Sequence, residues 1–149
     1  MITRFERFLV ALSGINRSWH QIASEVMEEN GLKGSYAIYL VTMLRYPEGV
    51  TSAQLSDICD RNKADVSRSV SELEGRGLVM RDANGGRYRA RIMLTPEGTS
   101  VAEKVQRMAN IAVEIAGMGL SEERREIFYK TMELISSNLQ NLSKNGIPK

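Results

Sequence analysis

Thr51-Ser52-Ala53-Gln54-Leu55-Ser56-Asp57-Ile58-Cys59, then Asp60-Arg61-Asn62, then Lys63-Ala64-Asp65-Val66-Ser67-Arg68-Ser69-Val70-Ser71-Glu72-Leu73-Glu74: this stretch decides the fold. Thr51 with Gln54 three residues on is a capping box, in which each side chain satisfies a free backbone amide of the other residue. The pattern predicts a short helix carrying Leu55, Ile58 and Cys59. Asp60-Arg61-Asn62 breaks it, and Asn62 with Asp65 starts a second helix. Val66, Val70 and Leu73 recur there at steps of three and four, so one face is apolar and turned inward. Gly75-Arg76-Gly77 ends it. Two short helices joined by a tight turn form a helix-turn-helix candidate.

The residues that follow extend the motif. Leu78-Val79-Met80-Arg81 is strand-like, and Asp82-Ala83-Asn84-Gly85-Gly86 contains Asn-Gly, a strong hairpin signal because both residues tolerate positive φ. The return strand alternates: Arg87, Arg89 and Arg91 face one way, and Tyr88, Ala90, Ile92 and Leu94 the other. A helix-turn-helix followed at once by a two-stranded ribbon is a winged helix.

Long helices flank this module. Upstream, Ile2, Phe5, Leu9, Leu12, Ile15, Trp19, Ile22 and Val26 form one apolar stripe that stops at Asn30-Gly31. A helix of this length in a chain of 149 residues needs more partner surface than its own core supplies. Ser35 is placed to cap a second helix, apolar nearly all round, through Tyr36, Tyr39, Leu40, Met43 and Leu44, which Pro47-Glu48-Gly49 ends. Downstream, Thr95-Pro96-Glu97-Gly98 restarts a helix with Thr at N-cap and Pro at N1. Gly117-Met118-Gly119 breaks it, and Ser121 caps a last helix through Phe128, Met132, Ile135, Leu139 and Leu142. The expected class is α+β, mainly α, as a single domain over 1–149: a winged helix-turn-helix module at 35–95 between long helices at 1–30 and 97–143.

Charge is unevenly placed. The formal net charge is +2, yet between Arg61 and Arg91 eight basic residues stand against four acidic ones, while residues 1–50 (five against five) and 96–149 (seven against seven) are neutral. A basic middle on a neutral scaffold is the footprint of a phosphate-binding module. One cysteine excludes an internal disulfide framework, and one Cys with one His excludes a zinc cluster. There is no Gly-rich phosphate loop and no catalytic constellation, so neither an enzyme nor a cofactor is expected. No apolar run approaches the ~20 residues of a membrane span. The N-terminus mixes charges of both signs and lacks the apolar core of a signal peptide, which predicts a soluble cytoplasmic protein.

The inward turn of Val66, Val70 and Leu73 directs Lys63, Ala64, Asp65, Ser67, Arg68 and Ser71 outward. The first turns of such a helix reach base edges in the major groove. Arg68 is the first choice, since guanidinium bonds guanine at two acceptors. Ser67 and Ser71 suit a base or a phosphate, Asp65 a helix cap or a cytosine amine, and Ser52, at the start of the first helix, is a further candidate DNA contact. Arg87, Arg89 and Arg91 suit a phosphate backbone. The bland reading of each is an ordinary solvated surface. Cys59 reads as a small core thiol.

Residues 32–105 resemble the MarR family of bacterial transcriptional regulators. The resemblance is carried by Thr51–Asp57, Asp65–Glu74, Arg76-Gly77-Leu78-Val79-Met80-Arg81 and the exit Ile92-Met93-Leu94-Thr95-Pro96-Glu97-Gly98. It implies a homodimer built through the N- and C-terminal helices, and a sequence-specific regulator, usually a repressor, on pseudo-palindromic double-stranded DNA. It also implies a small-molecule effector pocket between dimer helices and winged helix, where Trp19, Tyr36, Tyr39 and Met43 would lie; core packing explains those four equally well. Gly86 and Tyr88 occupy the places of the family's usual Asp-any-Arg wing motif. A dimeric winged-helix module binding a protein or RNA is the alternative, separated from DNA reading by what residues 63–71 and Arg87–Arg91 contact.

Overall fold

The computed structural model describes residues 1–82 and 89–148. Two compact units are present, Met1–Asn110 and Ile111–Lys149. The first contains α1 (Arg4–Glu28), a 3-10 turn (Gly34–Tyr36), α2 (Ala37–Leu44), α3 (Ser52–Cys59), α4 (Lys63–Gly75), β1 (Val79–Asp82), β2 (Arg91–Leu94) and most of α5 (Pro96–Ala116). The second holds residues 111–116 of α5 and all of α6 (Glu122–Asn145).

Local chemistry places most element ends where the sequence predicts them. Thr3 opens α1 with a capping box to Glu6, and Thr51 opens α3 with one to Gln54. Asn62 accepts from the Asp65 backbone amide at the start of α4, and Ser121 accepts from Arg124 at the start of α6. Beyond α1, Gly31 takes φ 67°. The chain between α3 and α4 turns on Asp60, whose φ of 50° is left-handed. The Ser56 hydroxyl donates to the Arg61 carbonyl at 2.5 Å and latches that turn. One start differs from expectation. Ser35 caps nothing; the turn begins after Lys33, without a side-chain cap, where Gly34 lies against the Ser24 backbone of α1. That close approach is a tertiary constraint, and it sets the start in place of a local cap.

The core of this unit gathers Met27 from α1, Tyr39, Leu40 and Met43 from α2, Leu55 from α3, Val66, Val70 and Leu73 from α4, and Ile92 from β2, all buried. β1 and β2 pair antiparallel, with Val79 opposite Leu94 and Asp82 opposite Arg91. Val50 adds a bridge to Ile92, exchanging backbone bonds of 3.0 and 2.7 Å, so the segment before α3 is stitched to the ribbon. The Asn84-Gly85 hairpin tip expected from the sequence lies outside the described residues.

The exit from the ribbon is tied on three atoms. Thr95 Oγ1 donates to the Gly77 carbonyl at 2.6 Å and accepts from the Gly98 amide at 3.0 Å. Gly98 is buried, and a Cβ there would stand 2.7 Å from the Leu78 carbonyl carbon. In the second unit, Arg125 donates to Glu114 Oε2 at 2.7 Å and packs under Gly117, holding the turn between α5 and α6. No residue of α6 is buried, and Ile127, Phe128, Leu134 and Leu139 are exposed along it. The α1 stripe from Ile2 to Ile22 is likewise exposed, Phe5 at 69% and Ile15 at 58%.

Candidate nucleic-acid interface

α4 sits on the core through Val66, Ser69, Val70 and Leu73. That leaves Lys63, Ala64, Ser67, Arg68 and Ser71 on one exposed face, as the apolar period requires. Arg68 is open on it, with its side chain 76% accessible. Ser52 is exposed in the first turn of α3, where the capping box has already satisfied part of the helix N-terminus. At the return to β2, Arg89 and Arg91 are exposed while Ala90 and Ile92 are buried, so the alternation holds from 89 to 92, and Met93 and Leu94 are both half-buried. Arg87 lies outside the described residues, as do Gly86 and Tyr88. Two other arginines of the segment are paired within it: Arg81 with Glu74 at 3.3 Å and Arg76 with Glu72 at 3.9 Å.

Asp65 is half-buried rather than free on the surface. Its backbone amide donates to Asn62 Oδ1 at 2.8 Å, and its Oδ2 accepts from the Tyr39 hydroxyl at 2.5 Å. Two turns further along α4, Glu72 Oε2 accepts from the Tyr36 hydroxyl. Both tyrosines are buried, and both phenols are pushed above their usual range, first by burial and then by the carboxylate each one meets; Tyr36 reaches about 12. Each phenol therefore stays protonated, and a donor, throughout the neutral range.

The four residues considered for an effector pocket separate. Tyr36, Tyr39 and Met43 share the core, whereas Trp19 stands on the exposed stripe of α1 and is not part of that core. Sequence reasoning missed the two tyrosine–carboxylate bonds and the Ser56 latch. A signal for the first existed: Tyr36 and Tyr39 are spaced i, i+3, and Asp65 and Glu72 i, i+7, so each pair lies on one helix face. Cys59, half-buried, lies 3.5 Å from Thr42 Oγ1, in keeping with a packing role. Among the described residues no group of His, Cys, Asp and Glu could hold a metal ion, and no helix is long and apolar enough to cross a membrane.

The model of the MarR family matches residues 30–87, the segment that spans α2, α3, α4 and the start of the wing. Solved structures match nearly the full length. A MarR transcriptional regulator from Methanosarcina mazei superposes with TM-score 0.80 at 20% identity, covering 95% of this chain and 94% of that one. A MarR-family transcriptional regulator from Listeria monocytogenes, complexed with 26mer DNA, gives 0.82 at 20% identity, covering 95% and 96%. The S. aureus MepR–DNA complex gives 0.78 at 21% identity, covering 93% and 99%. No curated protein matches the chain. At these identities the superpositions speak for the fold. Residues 30–87 are similar to the MarR family model, and the chain has the winged-helix fold seen in solved MarR-family transcriptional regulators.

Proposed function

We propose that the protein is a sequence-specific, double-stranded DNA-binding transcriptional regulator that acts as a homodimer on a pseudo-palindromic operator. The observation that carries this reading is the exposed face of α4, where Lys63, Ser67, Arg68 and Ser71 stand together on a helix whose opposite face is locked into the core. Such a helix enters the major groove with its first turns against base edges. Arg68 supplies the bidentate contact to guanine. Ser52 reaches a phosphate from the start of α3, Asp65 stands at the base-reading end of α4, and Arg87, Arg89 and Arg91 follow the backbone. Two relatives of the same fold were solved with DNA, which supports the reading.

The flanking helices, 1–30 and 97–143, pair two chains, and the exposed apolar residues of α1 and α6 are the surface available for it. Two recognition helices then meet half-sites about one helical turn apart. Regulation is repression, relieved by a small-molecule effector. The chemistry is binding alone, with no catalytic step, in the cytoplasm.

The test is selection of bound duplexes from a random pool, followed by titration of the enriched site. A two-fold symmetric site is expected. Arg68→Ala should erase preference between sites, losing about tenfold in discrimination. Arg89→Ala should weaken all duplexes alike and flatten the salt dependence by about one phosphate contact. If neither change alters duplex binding, DNA reading by this face is wrong.

A further inference from the structure

We infer that Asp65 serves DNA reading through Arg68 rather than by touching a base: Tyr39 holds its carboxylate, and the carboxylate holds the Arg68 guanidinium ready over the exposed face of α4. The inference rests on the DNA-binding reading above and assigns a positioning role within it.

Three fixed points define the geometry. Tyr39 is fully buried in the core, so its hydroxyl is presented from a rigid ring. It donates to Asp65 Oδ2 at 2.5 Å, while the Asp65 backbone amide is pinned to Asn62 Oδ1 at 2.8 Å. The remaining carboxylate oxygen, Oδ1, lies 4.0 Å from Arg68 Nη2. Asp65 and Arg68 are three residues apart and so neighbours on the helix surface. With Oδ2 bound by Tyr39 and Oδ1 beside Arg68, the carboxylate is oriented along the helix surface, and its negative charge opposes phosphate. It does bias a long, otherwise free arginine toward one orientation, which lowers the ordering cost when the guanidinium meets a base. An exposed pair of this kind adds little to stability, so its effect belongs to recognition.

The same arrangement recurs at the far end of the helix and provides an internal control. Tyr36 donates to Glu72 Oε2, and Glu72 Oε1 lies 3.9 Å from Arg76 Nη2. Arg76 follows the last turn of α4, beyond the turns that reach bases, so this second relay anchors the helix to the core without serving recognition.

The experiment uses the full-length protein and the duplex enriched by selection, together with duplexes changed at single base pairs. Asp65→Asn, Arg68→Ala, the double variant, Tyr39→Phe and Glu72→Gln are compared for discrimination and for melting temperature. Asp65→Asn should lose about tenfold in discrimination at the base pair where Arg68→Ala loses it. The double variant should be no worse than Arg68→Ala alone. Tyr39→Phe, which keeps the ring and the Asp65 charge, should lose part of the same discrimination, and Glu72→Gln none. Additive losses at separate base pairs would make Asp65 a base reader and overturn the inference. So would unchanged discrimination with a lowered melting temperature, which is the mark of a purely structural bond. If the wild-type chain prefers no duplex over another, the DNA-binding reading itself fails, and this role of Asp65 falls with it.

Discussion

Gly98 shows how one hydrogen atom in place of a methyl group settles the join between wing and α5. In an open helix, alanine at this position would add helix propensity worth about 1 kcal/mol. Here a Cβ would overlap the Leu78 carbonyl, and backbone cannot swing aside as a flexible side chain does. The clash outweighs the propensity, so Gly98→Ala is expected to destabilise the fold by about 1–3 kcal/mol, the usual range for overpacking a tight contact. Urea unfolding monitored by circular dichroism checks this, and a variant as stable as the parent would show that the approach of α5 to Leu78 relaxes easily. Thr95 works on the same joint from the other side, bridging the Gly77 carbonyl and the Gly98 amide. The sequence shows Thr95-Pro96-Glu97-Gly98 as a helix start; the reason for glycine at its end is visible only where Leu78 comes round to meet it.

α4, the proposed recognition helix, is built from signals of two ranges. Its start is local: the Asn62 side chain accepts from the amide three residues on. Replacing that cap, Asn62→Ala, should cost about 1 kcal/mol of stability. It should also fray the turn that carries Lys63, Asp65 and Arg68, so duplex affinity should fall with it. Denaturant titration and duplex binding on one preparation read both effects, and a loss of stability without loss of binding would mean that DNA rebuilds this turn on contact. The seating of α4 is not local. Its inward face follows from the period of Val66, Val70 and Leu73, which the sequence displays openly. Its hold on the Tyr36 and Tyr39 hydroxyls spans 36 and 26 residues; the spacing of each pair is readable, but not that the two pairs meet. The start before α2 tells the same story: Ser35 looked like a cap, yet the approach of Gly34 to Ser24 governs where that turn begins.

For the molecule as a whole, the apolar residues without cover carry the most weight. Phe5, Leu9, Leu12, Ile15 and Trp19 stand exposed on α1, and Ile127, Phe128, Leu134 and Leu139 on α6. Contiguous exposed apolar surface on a monomer is normally small, and larger patches mark association. With pairing of two chains as the proposal, Phe5→Glu combined with Ile15→Glu should leave helix content intact, turn a dimer into a monomer in sedimentation equilibrium, and weaken binding to a two-fold site far more than to a half-site. A wild-type protein that sediments as a monomer would refute the pairing directly. The stripe was legible from Ile2 to Val26 as a three-four repeat; the structure adds that only Ala23, Val26 and Met27 of this helix are buried in the chain's own core.

What could be read from residue order alone is what a few neighbouring residues decide among themselves. Capping boxes at Thr51, the cap at Asn62, the Gly31 stop, the outward set of α4 and the alternation of Arg89, Ala90, Arg91 and Ile92 all depend on contacts within one or two turns or one strand, so they survive translation into structure. Closure of the chain decided the rest. The Val50–Ile92 bridge, the Ser56 latch on Arg61 within its turn, the close fit of Gly98 on Leu78 and the engagement of Asp65 by Tyr39 require segments, or turn geometry, that residue order does not specify. Asp65 shows the difference most clearly. As a letter on the outward face it suits a base or a cap equally well. Only when α2 lays a buried hydroxyl beside it, from 26 residues away, does one of its oxygens find a fixed partner, because burial leaves that hydroxyl no water to turn to and a carboxylate within reach.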